Sequence, residues 1–303
     1  MSADKTDRNG IVILYKDSGW TSFDAVAKAR GILATRKVGH SGTLDPMATG
    51  VLPIFLGRAT KAINMQIIKD KEYIAVFALG KNTDTGDING EIIKERPVAV
   101  GKEGVLRQLE KFKGDIIQYP PMYSAVKVNG QPLYKLARQG ITVERKPRTV
   151  TIKEIELLND ESLEANMYKI RVLCSEGTYI RTLVEDIGEN LGCGAVLTYL
   201  CRTKACGYTL DEAVSIEGLQ RARNDGTIDS LVRETDTLFK HLERLNLSRQ
   251  LAQRLLNGAG SRISKADGVY RAYYKDKFYA VVSIKDKKME LVKLFVEKEK
   301  EEI

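Results

Sequence analysis

Residues 38–61 (VGHSGTLDPMATGVLPIFLGRATK) constrain this chain more than any other part of its sequence. They contain four of the 25 glycines, two of the seven prolines and one of the two histidines, a density that indicates a loop of unusual backbone shape. Pro46 stiffens the turn and disfavours helical geometry at Asp45. Mostly apolar residues follow at 51–56, so we expect a fixed loop on a packed base that presents the Asp45 carboxylate. The alternative is a structural turn with an exposed aspartate.

Length and composition are those of a soluble globular protein. With 303 residues, 43% hydrophobic and 29% charged, the chain is long enough for roughly two domains and a large core. No segment approaches the ~20 consecutive apolar residues of a membrane span, and residues 1–10 lack the apolar centre of a signal peptide. We therefore expect a cytoplasmic protein that does not interact with a membrane.

The cysteines and histidines do not predict a metal site. Cys174, Cys193, Cys201 and Cys206 form no CxxC pair, and two histidines are too few for the usual zinc spacings. We expect buried, reduced thiols. A Walker A sequence and a GxGxxG turn after a strand are also missing, so no cradle for a nucleotide cofactor is predicted.

The net charge of +8 favours a polyanionic partner. Residues 246–303 carry a net charge of +5 and residues 1–245 a net charge of +3, so the excess is concentrated in the tail. Nucleic acid and an anionic membrane surface are the candidate partners, and a merely solvated basic surface is the alternative. The membrane hypothesis is the weaker one, because no amphipathic helix with a large basic face is evident.

Hydrophobic periodicity predicts strands mixed irregularly with helices. Residues 10–16 are typical of a buried strand, and Thr21 with Asp24 forms the pattern of a capping box before a helix to about Leu33. Further strands are expected over residues 72–79, 91–94, 149–158, 168–174, 196–202, 269–272, 278–284 and 289–296, and further helices over 59–68, 105–112, 133–138, 177–191, 210–239 and 249–256. Without regular β-α-β alternation, this order indicates an α+β main domain and a small β-rich tail domain.

Residues 120–148 form an irregular basic excursion between these elements. Pro120 and Pro121 interrupt the chain, Asn129 and Gly130 are typical of a hairpin turn, and residues 145–148 contain three basic side chains. Such a segment suits contact with a large ligand, and a mobile surface loop is the alternative.

Residues 39–50 (GHSGTLDPMATG) closely resemble the bacterial tRNA pseudouridine-55 synthases of the TruB family. Further segments resemble the family in the same order: residues 71–73 (KEY), 82–87 (NTDTGD), 121–127 (PMYSAVK), 133–140 (LYKLARQG), 174–182 (CSEGTYIRT) and 191–194 (LGCG). Together they extend over roughly residues 10–202, and several ordered segments identify a family far better than one short loop.

The resemblance implies a pseudouridine synthase fold, in which helices flank a central mixed, mainly antiparallel sheet. It further implies a flexible N-terminus (1–9), a catalytic domain (10–245) with an RNA-gripping insertion at about 120–148, and a β-rich, PUA-like RNA-binding domain (246–303). The implied reaction converts the uridine at position 55 in the TΨC arm of tRNA to pseudouridine. The N-glycosidic bond breaks, the base turns and C5 joins the ribose C1′, without a metal or an organic cofactor.

The same resemblance implies roles for individual residues. Asp45 matches the catalytic carboxylate, Arg181 its cationic partner in a pairing that can be bidentate, and Tyr73 an aromatic residue that packs on the extruded uracil and is a candidate base. The substrate-binding residues implied are Leu200, which lines the pocket, His40, which contacts the displaced nucleotide region, Tyr179, and Lys61 and Arg138 as phosphate contacts. The family often has paired basic residues after the position of Leu200, whereas Cys201 precedes Arg202 here, so a phosphate contact at that place is not carried over.

The implied partner is tRNA, bound through its TΨC stem-loop. A stand-alone monomer without a protein partner is expected, because no added segment suits a guide-RNA complex. The alternative function is a tRNA-binding or tRNA-folding chaperone that acts without catalysis. Convergence of Asp45, Tyr73 and Arg181 in one cleft discriminates between the two, because binding alone does not require it.

Overall fold

The computed structural model describes residues 8–65 and 68–297. The strands in these residues are β1 (Gly10–Lys16), β2 (Val38–His40), β3 (Thr49–Leu56), β4 (Lys71–Leu79), β5 (Lys81–Thr83), β6 (Ile92–Glu95), β7 (Gly114–Gln118), β8 (Lys127–Val128), β9 (Gln131–Pro132), β10 (Arg148–Leu158), β11 (Met167–Cys174), β12 (Ala195–Ala205), β13 (Tyr208–Thr209), β14 (Glu243–Asn246), β15 (Ser261–Arg262), β16 (Gly268–Tyr274), β17 (Lys277–Lys285) and β18 (Lys288–Leu294). The α-helices are α1 (Ser22–Leu33), α2 (Lys102–Glu110), α3 (Leu133–Ala137), α4 (Ile180–Asn190), α5 (Ile216–Asn224) and α6 (Arg249–Leu256). Short 3₁₀ segments cover Gly57–Met65, Leu210–Glu212, Ile228–Leu231 and Thr235–Phe239.

A nine-stranded sheet forms the centre of the fold, in the order β1-β3-β12-β4-β11-β10-β7, with β2 paired to β3 and β13 to β12. Strands β3 and β12 run parallel, and the other neighbouring pairs in this sheet are antiparallel. The main hydrophobic core packs apolar residues of α1, α2, α4 and α5 against this sheet. The predicted α+β fold, with helices flanking a mixed and mainly antiparallel sheet, is confirmed.

The register of three adjacent strands brings distant parts of the chain together. Arg202 of β12 lies opposite Gly50 of β3 on one side and opposite Tyr73 of β4 on the other. Because side chains of directly opposite residues share a face of the sheet, Arg202 and Tyr73 are neighbours. The loop before β3, which carries Asp45, therefore ends beside both of them.

The first predicted elements form as expected. Strand β1 is almost wholly buried, and α1 begins after a capping box. The Thr21 side chain accepts a hydrogen bond from the backbone N–H of Asp24, whose carboxylate accepts one from the backbone N–H of Thr21. Helix α1 ends at Leu33, the predicted residue, and Ala34 follows at φ 50°.

Most of residues 210–239 is helical, as predicted, but in four short segments and not as one continuous helix. Only α5 is α-helical there, and short 3₁₀ segments flank it. The backbone N–H groups of Val214 and Arg233 instead donate to the carbonyls of Ile13 (2.9 Å) and Ile11 (2.8 Å) on β1. Because β1 is the edge strand of the sheet, these residues cover its open side, a tertiary demand that overrides local helix preference.

The predicted helix over residues 59–68 is a 3₁₀ segment that begins earlier, at Gly57, and ends at Met65. Gly57 has φ +55° and lies against Arg8 and Asn9, so the chain turns sharply as it leaves β3. Residues 66 and 67 of the predicted helix lie outside the described residues.

The insertion at residues 120–148 contains the predicted hairpin turn. Asn129 (φ 49°) and Gly130 (φ 82°) connect β8 to β9, as a two-residue turn with positive φ at both positions requires. Helix α3 follows directly and ends one residue before the predicted Arg138.

A second, five-stranded sheet forms the C-terminal part, in the order β14-β16-β17-β18-β15, and α6 packs beside it. The three strands and the helix predicted for this region are confirmed as β16, β17, β18 and α6. A separate apolar cluster joins this sheet to the central one by packing Phe278 and Phe295 together with Ile13 and Phe55.

Gly50→Ala is expected to destabilise the fold by ~3 kcal/mol or more. Gly50 has φ +106°, and a Cβ there would lie 2.2 Å from the carbonyl oxygen of Arg202 on the paired strand. Gly31 in α1 is the control, because a Cβ there meets no atom within 4 Å. Gly31→Ala should stabilise by up to ~1 kcal/mol through helix propensity. Urea denaturation of both variants measures the difference, and equal stabilities would contradict the close approach at Gly50.

Candidate active site

Asp45 lies in the loop between β2 and β3, and a buried lysine holds this loop in place. The Lys16 ammonium donates hydrogen bonds to the backbone carbonyls of Asp17 (2.9 Å), Trp20 (2.7 Å) and Pro46 (3.2 Å). Lys16 is fully buried, and this burial lowers its pKa to about 8 against the opposing charge of Asp45. Lys16 was not among the predicted site residues, although a lysine at the end of an apolar strand is a visible feature of the sequence.

Helix α1 holds the other side of the same loop. The Ser22 hydroxyl donates to the carbonyl oxygen of Leu44 (3.0 Å) and accepts from its backbone N–H (2.8 Å). Because Leu44 and Pro46 are both tied to the scaffold, the backbone is fixed on either side of Asp45.

Arg181 joins three segments of the chain around Asp45. Its Nε donates to Asp45 Oδ2 at 2.9 Å, its Nη1 to the Thr85 carbonyl at 2.8 Å and its Nη2 to the Tyr123 carbonyl at 2.8 Å. Only 4% of the Arg181 side chain is exposed, against 33% of the Asp45 side chain. The pair shares one hydrogen bond instead of the expected fork, because backbone carbonyls engage the other two nitrogens.

A second carboxylate beside Arg181, that of Asp87, was not among the predicted site residues. Its Oδ2 lies 3.9 Å from Arg181 Nε, and its side chain is 12% exposed. Its Oδ1 accepts hydrogen bonds from Thr85 Oγ1 (3.0 Å) and from the backbone N–H of Asn89 (3.0 Å). Asp87 therefore fixes the turn whose Thr85 carbonyl receives Arg181.

An inner chamber of about 340 Å³ opens beside Asp45 and Arg181. Tyr73 and Leu200 line it and are almost completely buried, with 7% and 5% of their surface exposed. The structure thus brings the three predicted catalytic residues and Leu200 around one cavity. Its walls are largely apolar, and the ion pair lies at its edge.

Tyr73 has a hydroxyl that stays protonated at neutral pH. Burial raises the pKa of Tyr73 to about 12, although the positive charge of Arg202 opposes this shift. A protonated phenol can pack on a base and donate a hydrogen bond, but it is a weak proton acceptor. The raised pKa therefore suits a Tyr73 that packs on a base better than a Tyr73 that accepts a proton.

An outer chamber of about 800 Å³ adjoins Asp45 on the side of α1 and the insertion. His40 and Arg138 both line it. Burial lowers the pKa of His40, and the charge of Arg202 lowers it further, so the imidazole is neutral at pH 7. The Arg138 guanidinium lies 5.7 Å from the centroid of the Tyr134 ring, at the same chamber.

Tyr179 occupies the N-cap of α4 and lines the inner chamber. The fully buried Gln118 side chain accepts from its backbone N–H (3.0 Å) and donates to its carbonyl (3.2 Å). This double contact fixes the start of the helix that carries Arg181. Sequence analysis did not single out Gln118, because its partner lies 61 residues away in the chain.

Lys61 is the predicted site residue that the structure leaves outside both chambers. Its ammonium donates to the carbonyl of Leu294 in the second sheet, at 2.9 Å. Burial lowers its pKa, and nearby cations, Arg58 first, lower it further. A phosphate contact would therefore compete with a hydrogen bond that connects the 3₁₀ segment Gly57–Met65 to the second sheet.

Arg202 is fully buried behind the loop, so it is not a surface contact. Its Nε donates to the Val51 carbonyl (2.8 Å) and its Nη2 to the Gly42 carbonyl (3.1 Å). Its Nη1 is buried without a hydrogen-bond partner among the described residues. The permanent, buried charge of Arg202 opposes the rise in the pKa of Tyr73 and adds to the fall in the pKa of His40. This role of Arg202 was not predicted from the sequence.

Glu185→Gln is expected to raise the free energy of unfolding by roughly 2 kcal/mol at pH 8 and to leave it unchanged below about pH 4.5. Burial raises the pKa of Glu185 to about 7 from an ordinary 4.5, although the charge of Arg181 opposes the shift. The folded state therefore binds more protons between these values, so wild-type stability falls as pH rises through them. Denaturant titration at both pH values checks this, and a variant no more stable than wild type at pH 8 contradicts it.

The described residues agree with the predictions on thiols. All four cysteines are buried and free.

Across residues 8–65 and 68–297, no helix has the length and apolarity to cross a membrane. In the same parts of the chain, no three His, Cys, Asp or Glu side chains are grouped to hold a metal ion.

Comparison with protein families finds two adjoining matches. Residues 30–180 match the TruB family pseudouridylate synthase (N terminal domain), and residues 181–240 match the tRNA pseudouridylate synthase B C-terminal domain. The tRNA pseudouridine synthase B of Stutzerimonas stutzeri (strain A1501) is 46% identical over 86% of this chain and 86% of its own. The tRNA pseudouridine synthase B of Pseudomonas fluorescens (strain Pf0-1) is 46% identical over 85% of each chain.

Solved structures with the same fold cover nearly the whole chain. A chain in the crystal structure of a Cbf5-Nop10-Gar1 complex superposes with a TM-score of 0.70 at 25% identity, over 96% of this chain and 86% of that chain. A chain in the structure of an H/ACA RNP bound to a substrate RNA containing 2′-deoxyuridine gives 0.69 at 22% identity, over 95% and 86%, a likeness of fold alone. The predicted pseudouridine synthase fold with a β-rich, PUA-like C-terminal part is confirmed. From the family matches and the identity to these relatives over most of its length, the chain belongs to the TruB family of pseudouridylate synthases.

Proposed function

We propose that this chain isomerises the uridine at position 55 in the TΨC arm of tRNA to pseudouridine. The observation that carries the proposal is one carboxylate, Asp45, which a buried arginine holds at the junction of two chambers. Membership of the TruB family and the name tRNA pseudouridine synthase B of its relatives support the same substrate class.

In the proposed reaction Asp45 is the catalytic carboxylate. The N1–C1′ bond breaks, the uracil turns, and C5 bonds to C1′, while C5 loses a proton and N1 gains one. Arg181 keeps Asp45 ionised and aimed, because it donates to one carboxylate oxygen and is itself fixed by two carbonyls. Tyr73 and Leu200 pack on the base in the inner chamber, and their apolar surfaces exclude water. The reaction as written needs no cofactor.

The uridine must leave its base stack to reach the inner chamber. We assign His40 and Arg138 in the outer chamber, and Tyr179 in the inner one, to the binding of the displaced region of the RNA. A neutral His40 suits this role, because its ring can lie against bases without a charge to desolvate.

The remaining parts of the proposal concern partners and organisation. The catalytic domain spans residues 10–245, and residues 246–303, with a net charge of +5, form an additional RNA-binding domain. The protein acts in the cytoplasm as a monomer on tRNA, without a protein partner.

A tRNA-folding chaperone without catalysis is the alternative function. Binding alone does not require Asp45, Tyr73 and Arg181 to meet at one cavity, and they do meet. The geometry therefore favours the enzyme.

Tritium release from C5 tests the proposed function. The substrate is an unmodified TΨC stem-loop transcript labelled at C5 of uridine, and the control is the same RNA with cytidine at position 55. Release of one equivalent per stem-loop, absent from the control, is expected. Tight binding of the stem-loop without any release would favour the chaperone.

A further inference from the structure

A basic groove of about 680 Å³ leads away from the inner chamber along the end of the insertion. It shares Gly42, Lys71 and Gly177 with the lining of that chamber. Lys71, Lys146 and Arg148 line the groove with positive charge. A strand of RNA whose base enters the inner chamber can therefore continue directly into a basic channel.

The positive charge in this groove is not neutralised by the protein. Within the described residues, Lys71, Lys146 and Arg148 have no carboxylate at ion-pair distance, and Glu176 of the same groove is paired with Lys69 at 2.7 Å. Lys71 and Arg148 are half-buried, whereas Lys146 is exposed. Cations that are partly removed from water are ordinarily paired, so the missing partners of Lys71 and Arg148 indicate that their counter-charge comes from a ligand.

Arg202 adds a buried positive charge beside the groove. It is fully buried, has no carboxylate partner in the described parts of the chain, and its Nη1 lacks a hydrogen bond. Its Nη1 and the Lys71 side chain both lie beneath Gly42, at 3.4 Å and 3.0 Å from where a Cβ would stand. Burial lowers the pKa of Lys71, and the charge of Arg202 lowers it further, whereas an anion bound in the groove would raise it.

The chain at the mouth of the groove leaves these cations uncovered. Gly42 and Gly177 both have positive φ, +75° and +85°, and neither has a side chain to cover the neighbouring cation. The Arg148 guanidinium lies 5.8 Å from the centroid of the ring of Tyr179, a residue that lines the inner chamber. Lys71 of β4 and Arg148 of β10 thus line the same groove from two strands that β11 separates.

We propose that this groove binds the RNA backbone next to the reacting uridine, with Lys71 and Arg148 contacting a phosphate that flanks that nucleotide. The inference rests on the proposed function, because it requires the uridine to occupy the inner chamber. A phosphodiester fits the groove since it is anionic and covalently linked to the ribose of the nucleotide whose base enters the inner chamber, and since arginine and lysine are the side chains that bind phosphate oxygens best.

A double-mutant cycle with chemically altered RNA tests this inference. Stem-loops carry a neutral methylphosphonate in place of the phosphate on the 5′ or the 3′ side of the target uridine. Their Kd is measured by fluorescence anisotropy with protein carrying Asp45→Asn, so that the RNA is not consumed, with and without Lys71→Met, which keeps the aliphatic stem. We expect Lys71→Met to raise the Kd of the all-phosphate RNA roughly tenfold. When the methylphosphonate replaces the contacted phosphate, Lys71→Met should leave the Kd almost unchanged.

Two further variants complete the test. Arg148→Met is tested in the same cycle. It should raise the Kd of the all-phosphate RNA and leave the Kd of the same methylphosphonate RNA almost unchanged, so the inference does not depend on the folding of one variant. Lys111→Met is the matched control, because Lys111 is an exposed lysine at the end of α2, outside the groove. It should change the Kd by less than about twofold, and its effect should be the same with every RNA.

The outcomes separate this inference from the proposed function. If Lys71→Met and Arg148→Met have undiminished effects with both methylphosphonate RNAs, the phosphate contact is wrong. Wild-type protein is assayed in parallel for pseudouridine in the all-phosphate stem-loop. Absence of product there overturns the proposed function, whereas product together with undiminished effects overturns only the inference about the groove.

Discussion

Asp45→Asn is expected to lower the rate of pseudouridine formation by at least about 10⁴-fold, while the fold and the RNA affinity stay close to wild type. The amide has nearly the shape of the carboxylate, so Arg181 Nε can still donate to its oxygen across the present 2.9 Å. It has no negative charge, however, and can neither form a covalent bond to the substrate nor stabilise positive charge on it. The loss therefore falls on the chemical step and not on binding.

Single-turnover tritium release measures this loss, and a filter-binding Kd measures the affinity. Asp225→Asn is the matched control, because Asp225 is an exposed aspartate at the end of α5, outside both chambers. It should keep its rate within about twofold of wild type. Turnover by Asp45→Asn above about 1% of the wild-type rate, with the substitution verified, would refute the assignment of Asp45 as the reacting carboxylate.

Arg181→Ala is expected to cost about 3–5 kcal/mol of the free energy of unfolding and to lower the rate by 10²-fold or more. The guanidinium is 4% exposed and connects the Asp45 loop, the Thr85 turn and the Tyr123 backbone. Its removal leaves two part-buried carbonyls without a donor and takes away the ion-pair partner of Asp45 and the positive charge beside Asp87. The variant loses both folding stability and the orientation of Asp45, because the same three hydrogen bonds provide both.

Urea denaturation and single-turnover assays test this prediction together. Arg107→Ala provides the control, because Arg107 is 74% exposed and lies 3.8 Å from Glu103 in a surface pair. Its cost should stay below about 0.5 kcal/mol, as for other exposed ion pairs. If Arg181→Ala is no more destabilising than Arg107→Ala and keeps the wild-type rate, the pairing has no functional role.

Local features of the fold could be predicted because neighbouring residues determine them. The capping box of Thr21 and Asp24 starts α1 as predicted, and the Asn129-Gly130 turn forms as predicted. In both cases a few adjacent residues satisfy backbone groups or permit positive φ without help from elsewhere. Alternating and continuous apolar runs likewise predicted the strands, including those of the C-terminal sheet.

Part of the candidate site was also predicted, but from a family resemblance and not from local patterns. Asp45, Tyr73, Arg181 and Leu200 were named from a family resemblance, and local chemistry alone left Asp45 as either a reacting group or an exposed turn residue. The structure adds the supporting residues Lys16, Asp87, Gln118 and Arg202, which the motifs did not reveal. It also separates Lys61, which hydrogen-bonds to Leu294, from the chambers.

The sequence by itself therefore determined which segments become strands, helices and turns, and which residues could react. Only the tertiary structure decided which of them meet. Arg181 and Asp45 are 136 positions apart, and Arg202 and Val51 are 151 apart, yet each pair is joined by a hydrogen bond. Such contacts depend on the order and register of strands across the whole sheet, which no local pattern specifies. For the same reason the helical region 210–239 is divided into short segments, because Val214 and Arg233 between them form backbone hydrogen bonds with the open edge of β1.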